Sequence, residues 1–318
     1  MTTPIQGIHH VTAIASDPQK NIDFYTGVLG LRLVKQTVNF DDPGTYHFYY
    51  GDELGRPGTL LTFFPIPRAF QGQRGAGQVT VTGLSIPDGA LDYWRERLEA
   101  SGARVEEPFT RFDETALTFY DPDDLQLELV ESKTPGPGVV GQASPIPESA
   151  AVRGVSHVQL QEEGYERTAA LLTETLGFRL TQSADNRFRF EAGTGGHGAT
   201  VDLVCTPGAL PGRVAAGSVH HVAFRTPDDE AQLAWRRALI ELGYNVSPVM
   251  DRQYFHSIYF REPGGVLFEI ATDAPGFAVD EPVEALGTSL RLPPAQEMAR
   301  AMLERRLPKI TLPGRANS

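Results

Sequence analysis

An α+β fold built from four βαβββ units is predicted by three observations. A strand, a helix and further strands recur four times along the chain, the helices end in near copies of one glycine stop, and 32 glycines and 24 prolines punctuate short apolar runs. In the first copy GIHHVTAIA reads as a strand, Asp17 caps a helix through NIDFYTGVLG, and LRLVKQTVNF, TYHFYYGD and GTLLTFFPIP follow as strands. The second copy runs from GQVTVTGLSIPDG through a helix at ALDYWRERLEASG to ARVEEPFTRF, ALTFYDPDD and LQLELVES. The third begins GVSHVQLQ, continues into YERTAALLTETLGF and closes with GATVDLVCTP. The fourth begins GSVHHVAFRTPDD, has its helix at AQLAWRRALIELG and closes with SIYFREPGG and VLFEIATD. GVLGLRL, ETLGFRL and IELGYNV end three of the helices, with glycine as the left-handed residue just past the last turn.

KTPGPGVVGQASPIPESA, rich in proline, glycine and serine, reads as a linker. The simplest partition is therefore a first domain at 1–135, a linker at 136–151, a second domain at 152–275 and an extension at 276–318. PPAQEMARAMLERRL in the extension is predicted to form one helix, packed across domains or at the interface of a homo-oligomer.

A length of 318 residues, 41% of them hydrophobic and 21% charged, suits two globular cores, and no apolar run approaches the roughly 18 residues of a membrane span. MTTPIQGIHHVTAI enters a strand pattern with no signal-peptide layout, so a cytoplasmic location is expected. A net charge of -12 argues against nucleic acid as a partner. The single cysteine, Cys205, is expected to be a buried strand residue without a disulfide partner.

Side chains alternate across a strand, so only one histidine of each doublet can face a given side. Val222 and Phe224 share a face with His220, Val11 and Ala13 share one with His9, and Phe268 and Ile270 flank Glu269 on the apolar face. His10, Thr12, His221 and Glu269 are left with the opposite parity, and His157 has the same frame as His10. A carboxylate within an apolar strand needs a partner, because burying it alone is expensive. Two imidazoles and one carboxylate form a facial triad with open positions, the pattern of non-haem Fe(II). His221 and Glu269 are two members, and the third is His10 or His157. Glu128 matches Glu269, but its unit offers Thr80 and Val81 where the fourth has histidines, so one full site is expected. His256 is expected on the surface, and Gly264 and Gly265 in a turn without a role in the site.

The βαβββ unit, its strand-opening histidines and its closing FEI resemble the vicinal oxygen chelate superfamily of glyoxalases, bleomycin resistance proteins and dioxygenases, over roughly residues 7 to 275. That resemblance implies two glyoxalase/dioxygenase-like domains with a U-shaped mixed sheet around a metal. GIHHVT, VHHVAF and DRQYFHSIYFREPGGVLFEIATD are more narrowly similar to the hydroquinone ring-cleaving dioxygenases. This narrower resemblance implies Fe(II), with Mn(II) or another divalent metal as substitutes, held by His10, His221 and Glu269. It also implies a small aromatic substrate, dioxygen as co-substrate, and His9, Thr12, His220, Arg252 and Tyr259 around the substrate or the ligands. Rival expectations are an extradiol catechol dioxygenase using His157, a glyoxalase-like isomerase or lyase recruiting Glu128, and a metal-free binding module.

Overall fold

The computed structural model describes residues 2–312 apart from 135, 137, 139, 140, 142 and 143, so the expected linker at 136–151 and the end of the extension lie partly outside the described residues. The four repeats each fold as a strand, a helix and three strands. Unit one holds β1 (Ile8–Ala15), α1 (Pro18–Ile22), β2 (Arg32–Val38), β3 (Tyr46–Gly51) and β4 (Leu60–Pro65). Unit two holds β5 (Gln78–Pro87), α2 (Leu91–Ala100), β6 (Phe109–Arg111), β7 (Glu114–Tyr120) and β8 (Gln126–Ser132). Unit three holds β9 (Val155–Glu162), α3 (Glu166–Ala170), β10 (Arg179–Ala184), β11 (Arg187–Glu191) and β12 (Thr200–Cys205). Unit four holds β13 (Ser218–Thr226), α4 (Asp229–Glu241), β14 (Met250–Asp251), β15 (Phe255–Arg261) and β16 (Leu267–Pro275).

Asp17 does cap α1, accepting from the backbone N–H of Gln19 at 2.9 Å and of Lys20 at 3.0 Å. Helices one and three differ from the uniform α-helix that the pattern predicts. Each widens into a π-helical turn, Asp23–Val28 and Leu171–Thr175, before Gly30 (φ 69°) and Gly177 (φ 82°) turn the chain out. Trp94 of α2 and Trp235 of α4 are fully buried against the apolar faces of the sheets.

Two eight-stranded mixed sheets result, in the orders β14-β15-β16-β13-β1-β4-β3-β2 and β10-β11-β12-β9-β5-β8-β7-β6. Each is two βαβββ units joined through their first strands, β1 to β13 and β5 to β9, both antiparallel. Unit one is thus bonded to unit four and unit two to unit three, so the linker divides the chain but not the sheets. Repetition along a sequence shows which segments are alike and leaves open which of them pair, because first-strand edges far apart in the chain are equally eligible partners. The crossovers between sheets run side by side, with Gln73 and Arg213 exchanging backbone hydrogen bonds of 3.0 and 2.8 Å.

The extension returns to unit one. Its helical part is shorter than expected, a 3-10 segment at Pro294–Ala299 followed by α5 (Arg300–Arg306). Lys35 on β2 is wholly buried, and its Nζ donates to Asp280 at 2.6 Å, to Glu281 at 2.7 Å and to the Phe277 carbonyl at 3.1 Å. Glu281 also accepts from Arg291 at 2.8 Å, and the Arg291 N–H donates to the Gln36 carbonyl at 2.8 Å. The extension is therefore clasped along the edge strand of the first sheet. Lys35→Met leaves a buried carboxylate half-paired and is expected to lower unfolding stability by about 3 kcal/mol in urea denaturation; a change near zero would mean that the clasp contributes nothing.

Candidate metal centre

Three adjacent strands build the centre. Ala223 on β13 stands in register with His10 on β1 and with Glu269 on β16. Its small side chain leaves the two longer ones free to converge above it, and His221 joins them from two residues earlier on β13. The Nε2 atoms of His10 and His221 are 3.2 Å apart, and Glu269 Oε2 lies 2.8 Å from His221 Nε2 and 3.4 Å from His10 Nε2. All three residues are buried and their ligand atoms lie within 4.8 Å of one another. The frame shared by His10, His221 and Glu269 in the sequence thus becomes a cluster in space.

Glu269 Oε1 accepts from the Ser257 hydroxyl at 2.5 Å, whereas the buried Oε2 faces both imidazoles without satisfying hydrogen-bond geometry to either. This is a convergence of three lone-pair donors on one point, and such a set fits a divalent cation of the kind bound by imidazole and carboxylate. Burial opposes the Glu269 charge, but His10 and His221 outweigh it and hold the carboxyl well below the usual range. Burial pulls His221 down despite Glu269 beside it, favouring the neutral ring that a metal requires.

The paired histidines correct the parity expectation. Register shifts from Ile8↔Phe224 to His10↔Ala223, and again from Thr12↔His221 to Ala13↔Val219, leaving His9 and His220 as the extra residues of two β-bulges. Each extra residue therefore does not turn away from its neighbour. His9 Nδ1 lies 2.9 Å from His10 Nδ1, and His220 Nδ1 lies 2.8 Å from His221 Nδ1. With Nε2 of His10 and His221 engaged by a metal, their Nδ1 atoms would carry the protons and donate to His9 and His220, fixing tautomer and ring plane. Burial first, then the neighbouring histidine, depresses His9 well below its ordinary value and His220 to about 4, so both are acceptors at neutral pH.

A small cavity of ≈ 30 Å³ opens onto the triad and is bounded by Asn39, Phe40, His47, Tyr49, Phe64, Arg252, Phe255 and Tyr259. Wider clefts, such as the ≈ 620 Å³ one beside Leu29, Arg32, Ser144 and Leu286, hold none of the triad. Arg252 Nε donates to the Tyr259 hydroxyl at 3.2 Å, and the Tyr259 ring meets His221 edge-on at 5.7 Å. Burial, then Glu269, raises the Tyr259 phenol, so it stays protonated. Arg252 also forks onto Asp41 at 3.2 and 3.0 Å, tying the β2–β3 loop that carries Asn39 and Phe40 over the cavity. The cavity has room for about one water.

Thr12 faces the same side as His10, and its hydroxyl is 2.7 Å from that of Thr62. His47 and Tyr49 escaped the sequence reading, yet TYHFYYGD carried their signal. Tyr46, Phe48 and Tyr50 are the core set, which leaves His47 and Tyr49 on the other face. Four remaining residues lie apart from the triad. His256 is half-buried and paired with Asp229 at 2.6 Å. Gly264 and Gly265 occupy the turn before β16, as expected. Cys205 is half-buried at the end of β12, short of the burial expected.

His157 and Glu128 belong to the second sheet, where Gly83 stands in register with both. Arg111 fills that centre, donating to Glu128 at 2.7 and 3.2 Å with Nη2 3.1 Å from His157 Nε2. Against burial, His157 and Arg111 bring the Glu128 carboxyl down to about 2. Neither residue lies in the group that His10 forms with His221 and Glu269.

The profile of the glyoxalase/bleomycin resistance protein/dioxygenase superfamily matches residues 7–129 and 154–270. The chain belongs to this superfamily. It is 46% identical over 312 residues to MhqO of Bacillus subtilis, a protein whose name proposes ring-cleaving dioxygenase activity, across 96% of this chain and 97% of the relative. It is 34% identical over 299 residues to the chlorohydroquinone/hydroquinone 1,2-dioxygenase of Sphingobium indicum, across 92% and 93% of the two chains. A crystal structure of a proposed dioxygenase from Bacillus subtilis superposes with a TM-score of 0.91 at 46% identity, covering 98% of this chain and 99% of its own.

Calorimetric titration with Mn(II) is expected to show affinity falling roughly 10–100-fold in His9→Ala and in His220→Ala, through loss of ligand orientation. His157→Ala should bind as wild type, and weakened binding there would place the ion in the wrong sheet.

Proposed function

We propose that this protein is an Fe(II)-dependent dioxygenase that opens a hydroquinone-type aromatic ring, with His10, His221 and Glu269 as ligands. Mn(II) or another divalent ion suits the same donors. The observation that carries the reading is the buried Glu269 Oε2 facing two Nε2 atoms with no hydrogen bond of its own. The kinship with proteins named for ring cleavage and for hydroquinone 1,2-dioxygenation supports the reaction class. When bound by these ligands, the metal would supply Lewis acidity toward the ring oxygen and dioxygen.

The surrounding side chains supply the rest. Phe64 and Phe255 line the cavity and offer a ring apolar contacts, while the Arg252 guanidinium stabilises negative charge on the ring oxygen that approaches the triad. Tyr259, held protonated and fixed by Arg252, donates a hydrogen bond to that oxygen or its reaction partner. It is the acid–base candidate that lines the cavity, whereas His9 and His220 stand behind the ligands. The reading includes a cytoplasmic homo-oligomer acting on a small aromatic and dioxygen. No helix among the described residues is long and apolar enough to cross a membrane.

The catechol rival required His157 beside His221, and the isomerase rival a second carboxylate. Among the described residues no fourth histidine, cysteine, aspartate or glutamate joins the triad group. Oxygen consumption by Fe(II)-loaded protein is expected with methylhydroquinone and chlorohydroquinone, to be lost in His10→Ala and Glu269→Gln, and to be kept in His157→Ala. Uptake with catechol alone would move the assignment to the extradiol class.

A further inference from the structure

The two sheets carry equivalent positions with opposite contents. In the first, Thr62 on β4 lies beside Thr12 and opposite Tyr49, with His47 two residues before. In the second, Asp202 on β12 lies beside Gln159 and opposite Arg189, with Arg187 two residues before. Arg189 forks onto Asp202 at 2.8 and 3.0 Å, and Arg187 reaches Asp202 at 3.0 Å and Gln159 at 2.6 Å. That concave face is filled by its own ion pairs. In the first sheet the same places hold shorter, uncharged groups, and a cavity remains.

Those groups form one hydrogen-bonded row. The Tyr49 hydroxyl lies 2.9 Å from His47 Nδ1, His47 Nε2 lies 3.0 Å from the Thr62 hydroxyl, and Thr62 lies 2.7 Å from Thr12. Burial, then His10 and His221, lowers His47 and keeps the ring neutral. A neutral ring carrying its proton on Nε2 donates to Thr62 and accepts at Nδ1 from Tyr49. In that tautomer the Tyr49 hydrogen goes to His47, and its oxygen keeps lone pairs for the cavity that both residues line.

A para-diol ring presents a second hydroxyl across the ring from the one at the triad. Buried there without a partner it would be strongly disfavoured. We propose that Tyr49 accepts the hydrogen bond of that second hydroxyl, and that His47 is the positioning residue that turns the Tyr49 lone pairs toward it. This rests on the hydroquinone reading above and names what selects a para-diol: one end of the ring meets Arg252, Tyr259 and the triad, and the other meets Tyr49. A phenol lacks the second hydroxyl, and a catechol presents it on the wrong side.

The test is calorimetric binding of hydroquinone and of phenol to metal-loaded protein without oxygen, alongside oxygen-uptake kinetics. Tyr49→Phe is expected to weaken hydroquinone binding about tenfold, the scale of one neutral hydrogen bond, and to leave phenol binding unchanged. His47→Leu should act in the same direction, and His47→Gln should recover part of the loss because its amide oxygen can accept from Tyr49. In turnover the loss should appear in KM, with kcat within a few-fold. Equal weakening of both ligands, or no weakening of either, would overturn the proposal, since a merely structural wall does not discriminate between them. If wild type consumes no oxygen with any diol but prefers hydroquinone to phenol through Tyr49, the dioxygenase reading fails and the recognition site stands.

Discussion

The antiparallel pairing of β1 with β13 is the constraint on which the rest depends. It joins the first unit to the fourth and sets Thr12 opposite His221 and His10 opposite Ala223. The parallel neighbour β16 then delivers Glu269 in the same row. Three residues from distant parts of the chain become neighbours through ladder hydrogen bonds, which hold strands at a fixed spacing. The two bulges in this pair place a second imidazole behind each inward one. A sheet centre that would otherwise alternate strictly thereby presents two layers of nitrogen.

The second sheet shows what the same scaffold does without that centre. Val81 stands where His221 stands, and a guanidinium occupies the space between His157 and Glu128. Arg111, Arg187 and Arg189 pair with Glu128, Asp202 and Glu114 in a largely buried network, so the face is closed and its charges are compensated. In the first sheet no guanidinium among the described residues pairs with Glu269, and its unsatisfied oxygen remains aimed at two imidazoles. One scaffold therefore yields a half closed by ion pairs and a half that keeps a small cavity beside three convergent ligand atoms. The clasp of Lys35 with Asp280 and Glu281 secures the extension along the edge of the open half.

Much of this was legible in the residues. Period-two alternation separated His10, His221 and Glu269 from their apolar neighbours, and the repeat itself showed four equivalent units. The pairing of units was not legible, because first strands of like pattern are interchangeable on paper and only the folded edges choose. The bulges were hidden for a related reason. An extra residue breaks alternation locally without any change in composition, so His9 and His220 read as outward when they back the inward rings. The π-helical turns before Gly30 and Gly177 left no mark that distinguishes them from ordinary helix ends. His47 and Tyr49 were within reach of the same alternation, but aromatic neighbours on both faces of TYHFYYGD masked which face was core.

The proposed centre holds one ion in the first sheet, between strands from the two ends of the chain. The most direct measurement is anomalous diffraction from crystals grown with Mn(II). The account predicts one strong peak per chain, within coordination distance of His10 Nε2, His221 Nε2 and a Glu269 oxygen. A peak between His157 and Glu128, or none beside Glu269 in fully loaded protein, would contradict it.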